Sequence, residues 1–149
     1  MFLYFAGPLF CQAELEFNIA LTEKIEDLGY KVFLPQRDGD KVNKEPYVSM
    51  SPEDRARAIF DMDQKNLIEA DIFLYILDGR VPDEGAAVAL GIAYSNKVSG
   101  NHNKRLIGLH TDKRSAFVQE KLNPMIYSPL DFIADSVQGL VEYLDQLNR

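Results

Sequence analysis

IFLYILDGRVPDEGAAVALGIAY, residues Ile72 to Tyr94, decides the fold. Ile72 to Leu77 is an unbroken apolar run, the pattern of a strand covered on both faces in a parallel sheet. Asp78-Gly79-Arg80-Val81-Pro82 is dense in turn formers, and Asp83 stands where a helix N-cap belongs. A helix then starts over the small residues Gly85, Ala86 and Ala87. Open parallel sheets bind ligands at the carboxyl ends of their strands, beside helix N-termini, so the site is expected here.

On the N-terminal side, Phe2 to Ala6 predicts a first strand ended by Gly7-Pro8. That glycine serves either a tight turn or a close approach by a ligand. Gln12 to Leu28 predicts an amphipathic helix with Leu15, Ile19, Leu21, Ile25 and Leu28 inward and Gly29 as its C-cap. Lys31 to Leu34 predicts a second strand, stopped by Pro35, which completes a βαβ unit. Pro35 to Ser51 reads as a long polar loop, either a lid over a site or a solvated excursion. Ser51-Pro52-Glu53-Asp54 is a helix start, and the helix runs to about Ala70 with an apolar stripe of Ala56, Ile59, Phe60 and Leu67. Asp63 falls inside that stripe. An inward carboxylate is costly unless paired or used, so Asp63 either bonds backbone donors or serves a site.

On the C-terminal side, Asn96 to Lys104 reads as a polar connection and Leu106 to Leu109 as a strand. Thr111 to Gln119 is polar, and Asn123 to Tyr127 leads toward a last short strand. Ile133 or Asp135 to Leu147 closes the chain as a helix with Val137, Leu140, Val141 and Leu144 on one side. The sum is an α/β chain: a flavodoxin-like, or Rossmann-like, three-layer sandwich with a four- or five-stranded parallel sheet. One domain over residues 1–149 is expected.

The chain carries 16 Lys and Arg against 23 Asp and Glu, a net charge of −7. That balance speaks against nucleic acid or an anionic membrane as partner and leaves small-molecule chemistry open. The lone cysteine, Cys11, can form no intrachain disulfide, which fits a reducing compartment and a cytoplasmic location. No apolar run is long enough to span a bilayer, and MFLYFAGPLF lacks the basic start of a signal peptide. Neither a GxGxxG after the first strand nor a GxxxxGK[ST] is present. His102 and His110 have no companions at metal-ligand spacing. What remains is carboxylate chemistry at Asp63 and Asp83. Paired carboxylates suit glycosidic bond cleavage, and Asp83 reads equally well as a helix cap alone.

Several segments together carry a family likeness: LYFAGPLF, then FLPQRD at Phe33 to Asp38, DMDQKNLIEAD, PDEGAAVALGIAY, and NPM at Asn123 to Met125. In this order and spacing the chain resembles the nucleoside 2-deoxyribosyltransferases over nearly its whole length. The resemblance implies transfer of 2-deoxyribose between nucleobases through a covalent glycosyl-enzyme, without metal or organic cofactor. It implies that Asp63 assists protonation of the base, and that Asp83 holds a sugar hydroxyl and the nucleophile, with Gly85 beside it. Tyr4, Gly7 and Phe10 would line the site and Gln36 would face the base. Asn123 and Met125 would act from a neighbouring subunit of a homo-oligomer, a hexamer or a dimer. The partners implied are deoxynucleosides, free nucleobases and further copies of the chain.

The family pattern D-x-G-x-x-x-E-L-G meets Asp83-Glu84-Gly85-Ala86-Ala87-Val88-Ala89-Leu90-Gly91. Ala89 therefore stands where the nucleophilic glutamate belongs, and a methyl group cannot attack an anomeric carbon. Three readings follow: an introduced Glu→Ala change in an inactive variant, a module that binds nucleosides without turnover, or Glu84 as the nucleophile. A hydrolase passing the sugar to water is the nearer alternative. Its nucleotide N-glycosidase relatives carry a Ser- and Arg-rich first loop for phosphate, resembling GSIRGG. Here Gly7-Pro8-Leu9-Phe10 is apolar, which favours an unphosphorylated nucleoside.

Overall fold

Five short apolar segments become strands: β1 (Phe2–Ala6), β2 (Lys31–Phe33), β3 (Ile72–Ile76), β4 (Arg105–Leu109) and β5 (Phe132–Ala134). They are the strands of a computed structural model that describes residues 1–39, 44–112 and 122–149. All pairs are parallel, in the order β2-β1-β3-β4-β5. The helices are α1 (Gln12–Asp27), α2 (Pro35–Asp38), α3 (Pro52–Glu69), α4 (Glu84–Ser99), α5 (Pro124–Tyr127) and α6 (Val137–Leu147). The flavodoxin-like order, with five strands, fulfils the expected fold class.

Strand alternation divides the sheet into two chemically different faces. Leu3, Phe5, Ile72, Leu74, Ile76, Ile107 and Leu109 form a mainly aliphatic face against Leu21 and Ile25 of α1 and Leu140 and Leu144 of α6. Tyr4, Phe33, Phe73 and Tyr75 form an aromatic face against Leu67 of α3 and Ala86, Leu90 and Ala93 of α4. On that side Tyr4 stacks on Phe33 at 5.4 Å and on Phe73 at 6.2 Å, and Phe73 meets Tyr75 edge-on at 6.1 Å.

Gly7 is explained by packing. A Cβ there would lie 2.8 Å from Ile76 Cβ, so the chain leaving β1 crosses the end of β3 at a distance only glycine allows. Gly7→Ala should therefore lose about 1–3 kcal/mol, a fall of roughly 2–12 °C in Tm. Gly91→Ala is the matched control, since a Cβ on that helical glycine meets nothing within 4 Å. It should hold or raise Tm. Equal Tm values for the two variants would refute the packing account.

Several boundaries and burial positions differ from expectation. Ile19 is exposed, whereas Asn18 and Thr22 are buried on α1. Asn18 tolerates burial because its amide donates to the Pro8 carbonyl and to Gln36 Oε1, both at 2.9 Å. The polar stretch after Pro35 is not all loop: it opens with α2 and holds a 3-10 turn at Tyr47–Ser49. Residues 40–43 lie outside the described part, as do 113–121, most of the polar segment expected at Thr111 to Gln119. The helix expected to stop before Asn96 continues as α4 to Ser99, with Gly100 as its C-cap. Asn123 caps the short helix α5, its side chain accepting from Met125 N at 2.9 Å.

Lys104, expected in a polar connection, is one of the most buried side chains, at 1 % exposure. Its ammonium donates to the carbonyls of Leu67 at 2.8 Å and Ile68 at 3.4 Å, and to that of Ala70. A helix ends with carbonyls that have no intrahelical partner, and here one cation holds them.

Candidate active site

The sheet order reverses at β1, whose neighbours β2 and β3 are reached in opposite directions, and ligands bind at such a switch point. A cavity of about 570 Å³ opens there. Tyr4, Ala6 and Gly7 line it from β1, Leu9 and Phe10 from the loop that follows, and Pro35 from the start of α2. Ala56, Ile59, Phe60, Asp63, Gln64 and Leu67 form the α3 wall, and Asp83, Gly85, Ala86, Val88, Ala89 and Ile92 form the α4 wall. The stripe read from α3 thus faces this cavity, and of its members only Leu67 is fully buried.

Two tyrosines of the aromatic face hold the acidic residues, Tyr4 through the Asp63 carboxylate and Tyr75 through the Asp83 backbone carbonyl. The buried Tyr4 hydroxyl is hydrogen-bonded to Asp63, and burial together with the charge of Asp63 pushes its pKa up. The Tyr75 hydroxyl donates to the Asp83 carbonyl at 2.6 Å, and burial, then the charges of Asp83 and Glu84, raise its pKa too. The Asp83 carboxylate accepts from Ala86 N at 2.8 Å, so the N-cap expected from the sequence is formed and also stands on the cavity wall. Among the described lining residues the charged side chains are Asp63 and Asp83 alone.

Ala89 lies half-buried on the α4 wall between Val88 and Ile92. Glu84 is exposed and is not part of the lining. Phe10 sits at the lip, largely exposed. Gln36 does not line the cavity. Its Nε2 donates to the Leu15 carbonyl at 2.9 Å while its Oε1 accepts from Asn18. The neighbouring residues of FLPQRD are equally committed: Arg37 forks onto Glu26 at 2.8 and 3.0 Å, and Asp38 accepts from Leu34 N at 2.9 Å. Asn123 lines a second groove with His110, Tyr127 and Phe132, and Met125 beside it is 81 % exposed. The chain itself does not bring these two to the first cavity. Among the described residues, no three His, Cys, Asp or Glu side chains are placed to hold a metal ion.

Sequence reasoning passed over Tyr75, Asp78 and Gln64. Tyr75 was hidden in an apolar run, although a hydroxyl there must find a partner. Asp78 lies two residues beyond β3 and accepts from Thr111 N at 2.6 Å and Asp112 N at 2.9 Å, which fastens the loop before α4 to the chain just after β4.

The tyrosines and Lys104 together set an alkaline stability profile. Burial pushes the Lys104 pKa down to about 8 from an ordinary 10.5, against an opposing pull from Asp71. The unfolded chain then binds more protons between those values, so stability rises with pH across that window. Tyr4, Tyr30 and Tyr75 are all raised above the ordinary tyrosine value of 10.0. Their contribution is present below that value and is lost as pH climbs above it. Chemical denaturation from pH 7 to 11 should show a maximum near pH 10, and a monotonic fall from pH 8 would contradict this.

A family model described as nucleoside 2-deoxyribosyltransferase matches residues 3–131. A conserved protein from Enterococcus faecalis V583 is similar in structure at 26 % identity and a TM-score of 0.80, over 99 % of this chain and 98 % of that one. A 2-deoxyribosyltransferase from the psychrotolerant bacterium Bacillus psychrosaccharolyticus is similar at 23 % identity and a TM-score of 0.75, over 96 % and 92 %. That second likeness speaks for the fold. No curated protein matches the chain. A match over residues 3–131 of 149 leaves no doubt about kinship: the chain belongs to the nucleoside 2-deoxyribosyltransferase family.

Proposed function

We propose that the cavity at the switch point binds an unphosphorylated 2-deoxyribonucleoside, in a transferase scaffold that lacks its covalent step at Ala89. The observation that carries this reading is the company Ala89 keeps: it shares one cavity with Asp63 and Asp83, while Glu84 stays outside. Tyr4 and Asp63 stand ready at the base, Asp83 and Gly85 at the sugar, and Gly7 and Phe10 at the entrance. The apolar Leu9 and Phe10, with no cation among the described lining residues, offer nothing to a phosphate. Asn123 and Met125 fit the same reading if they complete the pocket of a second copy in a homo-oligomer.

With a carboxylate at position 89, the chemistry would run in two displacements. The carboxylate attacks the anomeric carbon, and the bond to the base breaks with its electron pair going to the base nitrogen, which takes a proton delivered through Asp63. A nitrogen of the incoming base then attacks the same carbon, its proton passes back through Asp63, and the bond to the carboxylate breaks with its electron pair returning to the carboxylate oxygen.

A second reading is favoured by the apolar surroundings of Ala89: a pocket that binds nucleosides without turnover. Ala89→Glu separates the two. A glutamate lost by an introduced change predicts that a deoxynucleoside and a free base yield a new nucleoside, resolved by chromatography. Binding without exchange in that variant would support the second reading. Release of free deoxyribose without need of an acceptor base would make the scaffold a hydrolase.

A further inference from the structure

Four polar side chains stand on the cavity wall, namely Tyr4, Asp63, Gln64 and Asp83. Three have partners: Tyr4 and Asp63 bond each other, and Asp83 caps α4. Gln64 follows Asp63 on α3 and lines the same cavity, is half-buried, and makes no hydrogen bond to a described residue. An amide on a cavity wall with no protein partner is held by water, and a ligand that matches its donor and acceptor can take the water's place. Gln36 is the reverse case, with both ends of its amide spent on Asn18 and Leu15 outside the cavity.

We infer that Gln64, standing free on the cavity wall beside Asp63, reads the base of the bound nucleoside, and that this base carries an amino group next to a ring-nitrogen acceptor, as adenine and cytosine do. The inference rests on the nucleoside reading above and adds the residue and the class of base. An amide presents an acceptor and a donor side by side, and pairs in two bonds with an edge that offers the complement. Its oxygen takes the amino N–H and its N–H meets the ring nitrogen. A flipped amide would suit the opposite edge, a carbonyl beside a ring N–H. Asp63 breaks that tie. When the nucleoside binds, before any proton is delivered to the base, the Asp63 carboxylate accepts from the Tyr4 hydroxyl and no cation on the described wall offsets its charge, so an edge rich in N–H is favoured over one presenting oxygen.

Equilibrium binding to the chain as it stands tests this, using two pairs that differ by amino against oxo: deoxyadenosine with deoxyinosine, and deoxycytidine with deoxyuridine. The amino member of each pair should bind about tenfold tighter. Gln64→Leu and Gln64→Ala should each erase that gap, while binding of methyl 2-deoxyriboside, which has no base, stays the same. Gln36→Leu should lower Tm and keep the gap. A gap that survives both Gln64 variants, or is lost in Gln36→Leu, overturns the role of Gln64. Equal binding within each pair overturns the class of base. Binding of none of the four nucleosides overturns the nucleoside reading itself, and this inference with it.

Discussion

Ala89→Glu should raise base exchange from background by several orders of magnitude, roughly 10⁴-fold or more, the range over which removal of a nucleophile acts in enzymes that form covalent intermediates. The size follows from the proposed reading, in which the cavity supplies binding and orientation and the variant adds bond formation at the anomeric carbon. The position also favours the chemistry. Residue 89 lies on the α4 wall six residues beyond the Asp83 cap, beside the apolar side chains of Val88 and Ile92 on the same wall. The introduced carboxylate would join Asp63 and Asp83 with no cation among the described lining, so like charges and apolar walls should raise its pKa. Exchange should therefore fall toward acidic pH as that group takes up a proton. Glu84→Gln in the same background should leave the rate within about twofold, because Glu84 is outside the cavity. A rate in Ala89→Glu no higher than in the parent chain would sink the transferase scaffold as the functional reading.

Lys104→Met should be among the most damaging single changes to stability, about 3 kcal/mol, with Tm falling by roughly 6–12 °C. The substitution keeps an unbranched apolar stem and removes the ammonium. The carbonyls of Leu67 and Ala70 at the end of α3 are then buried beside a thioether that cannot donate. Removing one partner of a buried polar group leaves the other to bear its desolvation, which is worse than removing both. The variant should also lose the rise in stability between pH 8 and 10, since that rise belongs to Lys104. Denaturation with Tm within 2 °C of the parent would show that water replaces the ammonium at no cost.

The architecture was largely legible in the sequence because its strands are covered on both faces, and such strands appear as plain apolar runs. Ser51 and Asp83 were legible as caps, since the residue types at a helix start answer to local hydrogen bonding alone. Asp63 betrayed the cavity by breaking an apolar stripe. What escaped depends on partners far along the chain. Lys104 looks like a solvated loop residue until α3 is seen to end above it, more than thirty residues earlier in sequence. Asn18 and Ile19 exchanged their expected roles because the Pro8 carbonyl and Gln36 arrive to satisfy the amide. FLPQRD served as a family marker, yet its polar side chains hold α1 and α2 together and stand away from the cavity.

The two faces of the sheet divide the molecule's obligations. The aliphatic face, sealed by α1 and α6, makes no contribution to the cavity wall through its helices. The aromatic face carries both tyrosines that hold Asp63 and Asp83, and its helices α3 and α4 supply most of the lining. Inherited change is therefore channelled. Substitutions on α3 and α4 can alter which ligand enters, or whether it reacts, while the opposite layer continues to specify the same sheet. A change of side chain at one α4 position with retention of the complete fold is the kind of step such a partition permits.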